Sequence, residues 1–396
     1  MVSFACSDLT TGAHYCWKMS AMSSTTSSCS TQGLQIYQDV KDYYGKHLKS
    51  SEDLQTNACV TPAKTLPKYI RDALGEVHED ISSRYYGCGL TVPECLENCR
   101  ILDLGSGSGR DCYMLSKLVG QKGHVTGIDM TDEQVEVSRK YIDFHMQKFG
   151  YQQPNVDFVQ GYIEDLNAAN LKDNSYDLII SNCVINLSPD KRKVLNEAYR
   201  VLKDGGEMYF SDMYANQVIS EEMKQNKVLW GEGMSGALWW EDLFSIGKEI
   251  GFTAPRLVTA SYITVNNKEL EDAIGNYKFV SATFRLFKLP QGTVKEKCLA
   301  IYKGGITGCE TELNFDVNFT FKEGTVTEID EELSAILKKS RFADAFLFQP
   351  LESKSILNGC QPKKKEIIRD PFQFAEQTKS LKTPSATSCC ESKGCC

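Results

Sequence analysis

Between Arg100 and Met213 the chain alternates short apolar runs with amphipathic stretches, and this alternation most narrows what it can become. RILDLG, HVTGIDM, VDFVQG, SYDLIISNCV and EMYFSDM are strand-length apolar segments. DCYMLSKLVG, TDEQVEVSRKYIDFHMQKFG and DKRKVLNEAYRVLKDGG carry apolar residues at helical spacing and close on glycine. A strand reaches a parallel neighbour only through a long crossover, usually a helix. The pattern therefore predicts an α/β fold, a parallel-rich sheet with helices on both faces.

The flanks read differently. Residues 1–33 are rich in Ser and Thr without sustained period and are expected to be a disordered extension. Ile36, Val40, Tyr43 and Tyr44 recur at helical spacing, as do Ile70, Ala73, Val77 and Ile81. A helical N-terminal segment is thus predicted ahead of the sheet, stopping where Gly87 and Gly89 flank Cys88, and residues 34–285 are expected to form the main domain. CLAIYKGG and LNFDVNFTFKEGTVTEI predict a small β-rich domain over 286–375, and the polar, Cys-paired residues 376–396 a flexible tail.

Composition excludes several classes of function. With 44 Lys+Arg against 52 Asp+Glu the net charge is −8, and the one basic run, Lys363–Lys365, is short, so no nucleic-acid partner is expected. No apolar run has bilayer-spanning length, and Asp8, Thr10 and His14 interrupt the apolar N-terminus, which argues against membrane and secretion and for the cytosol. In that compartment the 16 cysteines stay largely reduced, so they are not a disulfide framework. They do not suit structural zinc either. The ordered region has no C-x-x-C pair, Cys95 and Cys99 are four apart on one expected helical turn, and the chain has 5 histidines. Cys112, Cys298 and Cys309 read as small core hydrophobes.

The first strand runs into Asp103-Leu104-Gly105-Ser106-Gly107-Ser108-Gly109 and then a helix. Glycines there let the backbone turn tightly and approach a ligand, and the helix N-terminus offers free N–H groups. The spacing is G-x-G-x-G, and Asp129 ends the next strand 20 residues after Gly109, placed to accept the hydroxyls of an unphosphorylated ribose. Asp103, Gly105, Gly107, Gly109 and Asp129, with Met130 and Gln134 beyond it, are the expected contacts of S-adenosylmethionine, with a nicotinamide dinucleotide as the alternative. Past the third strand, Ile163 packs an adenine and Glu164 or Asp165 accepts from its amino group, unless the acids form a solvated loop. The fourth strand ends at Ser181-Asn182-Cys183, which brings Asn182 and Cys183 to the carboxyl edge of the sheet, where such folds bind ligands. Cys59, Cys88 and Cys183 are then isolated soft donors near ligand-facing ends.

LQTNACV, RYYGCG, ILDLGSGSGRDCY, GHVTGIDM, SNCVINL, YRVLKDGG, YFSDMY, VLWGE, GALWWEDL, RLVTA, FVSATFRLFK, GGITG and a late DPF together resemble the animal-type arsenite methyltransferases, over roughly residues 36–372. The resemblance implies a Rossmann-like class I methyltransferase that moves methyl groups from S-adenosylmethionine to trivalent arsenic. It implies Cys88 and Cys183 as arsenic ligands, Cys59 as a redox or relay thiol, Tyr86 lining the cofactor site, and glutathione or a thioredoxin-like protein as reductant. One departure from the family matters. The family reads Gly-Glu-Cys where this chain has Gly231-Glu232-Gly233, followed by Met234, so the third arsenic thiolate is missing. A monomer acting on a small arsenical is the expectation. A methyltransferase for another small nucleophile, or a non-catalytic binder of soft metalloids, are the alternatives.

Overall fold

A computed structural model describes residues 35–44, 66–85, 87, 89–265, 267–351 and 367–382. Cys59, Tyr86, Cys88 and the expected N-terminal extension therefore lie outside the described residues. Residues 35–44 are helical (α1), followed by α2 (Lys68–Gly75) and α3 (Glu79–Ser82). The α/β unit is β1 (Arg100–Leu104), α4 (Arg110–Val119), β2 (His124–Asp129), α5 (Asp132–Lys140), α6 (Ile142–Phe149), β3 (Val156–Gln160), β4 (Tyr176–Asn182), α7 (Lys191–Val201) and β5 (Leu202–Ala215). It continues through α8 (Glu221–Lys224), α9 (Lys227–Gly231), β6 (Leu238–Trp239), α10 (Trp240–Ile250), β7 (Arg256–Tyr262), α11 (Lys268–Ile274) and β8 (Phe279–Phe287).

The strands form one sheet in the order β3-β2-β1-β4-β5-β8-β7, with β6 beside β5. All of β1 to β5 pair in parallel, and β8 runs antiparallel between β5 and β7. Sequence order reverses between β1 and β4, which opens a crevice at the carboxyl ends of those strands. Two apolar layers cover the faces: Leu102, Ile179, Val194, Leu195, Phe210 and Leu286 belong to one, and Ile101, Tyr113, Val125, Leu178, Ile180 and Tyr209 to the other.

Four local expectations fail, the first three for tertiary reasons. The helix predicted through 131–150 breaks at Tyr141, where φ is −106° and ψ 9°. Its hydroxyl donates to the Asp80 carboxylate and its ring lies 4.1 Å from that of His78, so packing against α3 breaks the periodic helix here. The N-terminal helix pauses before His78, which caps α3 by accepting the Asp80 N–H at 3.1 Å and donates its own N–H to His145. The glycines of LKDGG do not close α7. They lie within β5, where Gly205 (φ +82°) donates to Lys288 O and a Cβ would stand 2.1 Å from Lys339 O. Cys95 and Cys99 share a turn rather than a helix, with Cys95 at φ +58°.

Beyond β8 come β9 (Cys298–Tyr302), β10 (Glu312–Asn314), β11 (Thr320–Lys322), β12 (Val326–Ile329), α12 (Glu331–Lys339) and β13 (Phe346–Pro350). β12-β9-β13 is an antiparallel sheet and β10-β11 a hairpin, around a core of Phe287, Phe315, Phe321, Phe342 and Phe346. β8 crosses position 286, the expected domain boundary, and supplies Phe287 to this core. The last helix, α13 (Pro371–Lys382), runs through position 376 and returns to the sheet, with Phe372, Phe374 and Ala375 in the main core. The two units are clamped by a buried ion cluster. Arg285 on β8 donates to Glu207 (2.7 Å), Glu94 (3.1 Å) and Phe315 O (2.6 Å), and Arg341 also donates to Glu207. No helix among the described residues is long and apolar enough to cross a membrane.

Candidate active site

The crevice at the switch point is a cavity whose wall is supplied in turn by the segments following β1, β2, β3 and β4. After β1, Gly105, Gly107 and Gly109 all have positive φ, at 72°, 51° and 89°. A Cβ at Gly105 would meet the Val184 side chain at 2.4 Å, whereas one at Gly107 would meet nothing within 4 Å and project into open space. The loop is thus shaped both by the packed β4 segment and by room left for a ligand. Gly109 is the N-cap of α4. Arg110 pairs with Asp111 at 2.8 Å and lies over the Tyr85 ring.

Asp129 ends β2 with both carboxylate oxygens engaged. One accepts the Gly107 N–H at 2.9 Å and the other the Thr131 N–H at 2.8 Å. Burial raises its pKa and these two N–H groups oppose the rise. Each carboxylate oxygen retains a lone pair, so Asp129 braces the glycine loop and can still accept from a ligand.

Asp103 lines the same cavity but is turned toward the interior, accepting from the Cys112 thiol at 3.1 Å. Burial, then the negative charge of Asp111, pushes its pKa up to about 7. A carboxyl raised in the folded state contributes its stability below its unfolded value near 4, and that contribution is lost as pH climbs through about 7. Asp103→Asn is therefore expected to raise stability clearly more at pH 8 than at pH 5, by urea unfolding at the two pH values. Equal effects at both would show that Asp103 is ionised throughout.

After β3, Ile163 and Glu164 are buried in the wall, while Asp165 is exposed and accepts from the Ala168 N–H. Of the two acids left open by sequence, Glu164 is the one in the cavity. The Tyr37 phenol of α1 stands beside it, and burial with this neighbouring carboxylate raises the tyrosine pKa. Ser106 Oγ, Gln134 Oε1 and Glu164 Oε1 are buried without a hydrogen-bond partner, three of the six such atoms among the described residues, and all three residues line this cavity. Orphaned buried polar atoms are costly, and their convergence on one cavity marks a polar ligand site. Two acceptors, a hydroxyl, a glycine cradle and an apolar Ile163 wall suit an adenosine bearing a charged tail.

After β4, Asn182 and Cys183 complete the wall. Asn182 Nδ2 donates to Tyr85 Oη (2.7 Å) and to Gly89 O (2.8 Å), and a Cβ at Gly87 would stand 2.5 Å from that nitrogen. Both glycines flanking position 88 thus lie against the residue before Cys183. Cys183 has φ +56°, a backbone region that a non-glycine residue occupies at a cost, and its N–H donates to Ser211 O at 2.8 Å. It is disulfide-bonded, whereas Cys95, Cys99, Cys112, Cys298 and Cys309 are free. Its side chain packs against an apolar cluster that includes Met213, Met234 and Leu229. Gly233 adjoins that cluster at φ +80°, where a Cβ would come 2.4 Å from the Met213 methyl.

The structure therefore gathers Asp103, Gly105, Gly107, Asp129, Met130, Gln134, Ile163, Glu164, Asn182 and Cys183 at one cavity, with Gly109 capping the adjoining helix. Sequence reasoning missed Tyr37, Tyr44, Tyr85, Arg110 and Thr131, which share it. Tyr85 was legible as the neighbour of Tyr86 in RYYGCG. The tyrosines of α1 lie far off in sequence and carried no such mark.

A methyltransferase-domain family model matches residues 96–251, and an arsenite methyltransferase C-terminal domain model matches residues 295–396. The arsenite methyltransferases of Rattus norvegicus and Homo sapiens are 60% and 58% identical to the chain over 366 and 368 residues, covering 91% of it and 98% of each relative. An arsenic (III) S-adenosylmethionine methyltransferase from Chlamydomonas reinhardtii has a solved structure that superposes with a TM-score of 0.69 at 40% identity, covering 73% of this chain and 98% of that one.

Proposed function

Because the chain belongs to the arsenite methyltransferase family, we propose that it methylates trivalent arsenic held by cysteine thiolates, with S-adenosylmethionine as donor. S-adenosylmethionine, when bound, supplies an electrophilic sulfonium methyl. Gly105 and Gly107 admit its amino-acid end to the loop, Asp129 accepts from the ribose, and Glu164 and Ile163 take the adenine. Gln134, Met130 and Asp103 complete the wall, and the family resemblance assigns Tyr86, which lies outside the described residues, to the same cofactor site.

The observation that carries the arsenic reading is Cys183, a cysteine on strained backbone at the cavity's edge whose disulfide is opened by reduction to the thiolate, with the glycines around Cys88 packed on the residue before it. Cys88 and Cys183 displace hydroxide from arsenic as thiolates and turn its lone pair toward the donor. No general base is needed, since the nucleophile loses no proton. Placement is the protein's contribution, worth several kcal/mol of barrier. Gain of a methyl cation takes arsenic from the trivalent to the pentavalent state. Two thiols return the two electrons by forming a disulfide, with Cys59 as relay, and glutathione or a thioredoxin-like donor reduces it. The disulfide at Cys183 is in keeping with such a cycle. A reduced cytosolic thiol pool suits this chemistry, and the chain acts there as a monomer.

Arsenite exchanges three hydroxides and methylarsenite two. With Gly233 at the third ligand position, the chain holds methylarsenite fully by Cys88 and Cys183 and arsenite only in part. Product analysis with glutathione and each substrate should show methylarsenite methylated at least several-fold faster. Gly233→Cys should raise arsenite turnover selectively, at a cost of about 1 kcal/mol for the left-handed backbone and a shift of the Met213 methyl. No product from either arsenical, in protein that binds S-adenosylhomocysteine, would sink the reading.

A further inference from the structure

Helix α1 touches both halves of the site. Tyr37, Val40 and Tyr44 face the cofactor cavity, and Gln134 donates to Tyr44 O at 3.4 Å. Toward β3, the Tyr37 ring lies 5.0 Å from that of Tyr162 and Lys41 sits over the same ring. On its other side the helix is tied to the end of α9. Tyr43 Oη donates to Glu232 Oε1 at 2.6 Å, Tyr44 Oη donates to Gly231 O at 3.0 Å, and Lys227 pairs with Asp39 at 2.9 Å. The approach is close, because a Cβ on Gly231 would already stand 3.3 Å from the Tyr43 ring. Glu232 is 1% exposed, so its bond to Tyr43 is made in a desolvated place. Its neighbours Gly233 and Met234 continue directly into the cluster that packs Cys183.

From this arrangement we propose that α1 couples the two ligands: cofactor seated against Tyr37, Val40 and Tyr44 holds the helix, and Tyr43 and Tyr44 then hold the 231–233 loop, which adjoins the cluster packing Cys183, so that Cys183 is held in place for the arsenical. The inference rests on the methyltransferase reading above. Ordering the helix and the loop carries an entropic cost that the first ligand meets and the second does not, so the two bind with positive cooperativity. The coupling is reciprocal, each ligand tightening the other by the same factor. Tyr43 is a positioning residue. It does not line the cofactor cavity, and its hydroxyl reaches the loop through Glu232.

The test is a thermodynamic cycle on the full chain, with methylarsenite as metalloid and S-adenosylhomocysteine as cofactor probe, read by calorimetry. Roughly tenfold tighter methylarsenite binding is expected when S-adenosylhomocysteine is present, within the usual range of allosteric coupling. Tyr43→Phe and Glu232→Ala should reduce that factor toward one while changing the affinity for S-adenosylhomocysteine alone by less than twofold. Glu232→Gln keeps a carbonyl acceptor for the Tyr43 hydroxyl and should retain the coupling, which separates loss of this bond from general loosening. Absence of coupling in the wild type, or full coupling in Tyr43→Phe, would overturn the proposal. Failure of the wild type to bind methylarsenite at all would overturn the arsenic reading itself, and the proposal with it.

Discussion

Cys183→Ser is expected to lower methylation of methylarsenite at least about 100-fold, some 2.7 kcal/mol of transition-state stabilisation, while S-adenosylhomocysteine binds as in the wild type. A hydroxyl is a hard, protonated donor and does not replace a thiolate on a soft metalloid. Cofactor affinity should persist, because the orphaned acceptors and the glycine cradle belong to Ser106, Gln134, Glu164 and Gly107. The residue sits at φ +56°, so Cys183→Gly removes the sulfur while relaxing the backbone, and it serves as a second variant should the serine protein fold poorly. Activity within a few-fold of wild type in both would mean that arsenic is held elsewhere, and the proposed ligand pair would fall.

Arg285→Met should lower stability by roughly 3–5 kcal/mol, because it leaves Glu94 and Phe315 O without their partner and Glu207 with Arg341 alone in a fully buried place. For a domain of this size that is a fall in Tm of about 10 °C. The cofactor site should be intact in the fraction that folds. Glu207 pairs with Leu178 and Ser211 with Asn182, so the cluster lies four residues down the strands from the cavity, about 13 Å away. Coupled replacement of Arg285 and Glu207 by apolar residues should recover part of the loss, since no orphaned charge then remains at Glu207. An unchanged melting temperature in Arg285→Met would show that the cluster contributes no net stability.

What was legible in sequence and what was not divides along a physical line. The order of strands and helices, the glycine loop and Asp129 are local, because each follows from residues adjacent in the chain. Helix ends were misjudged where a distant partner intervened. Tyr141 leaves the helix for Asp80 and His78, and the LKDGG glycines serve a strand pressed against Lys339 rather than a helix cap. At the cavity, Glu164 and Asp165 were equivalent as letters, and only the fold buries one and exposes the other.

By itself the sequence determined the fold class and the carboxyl-edge site, because hydrophobic period, glycine spacing and the acid at the end of β2 are encoded within short stretches of chain. The tertiary structure decided which polar atoms are left without partners, that residues 35–44 close over the cofactor side, and that position 233 abuts Met213. Those are contacts between segments up to some two hundred residues apart, and no local periodicity records which side chains a closed chain will bring together.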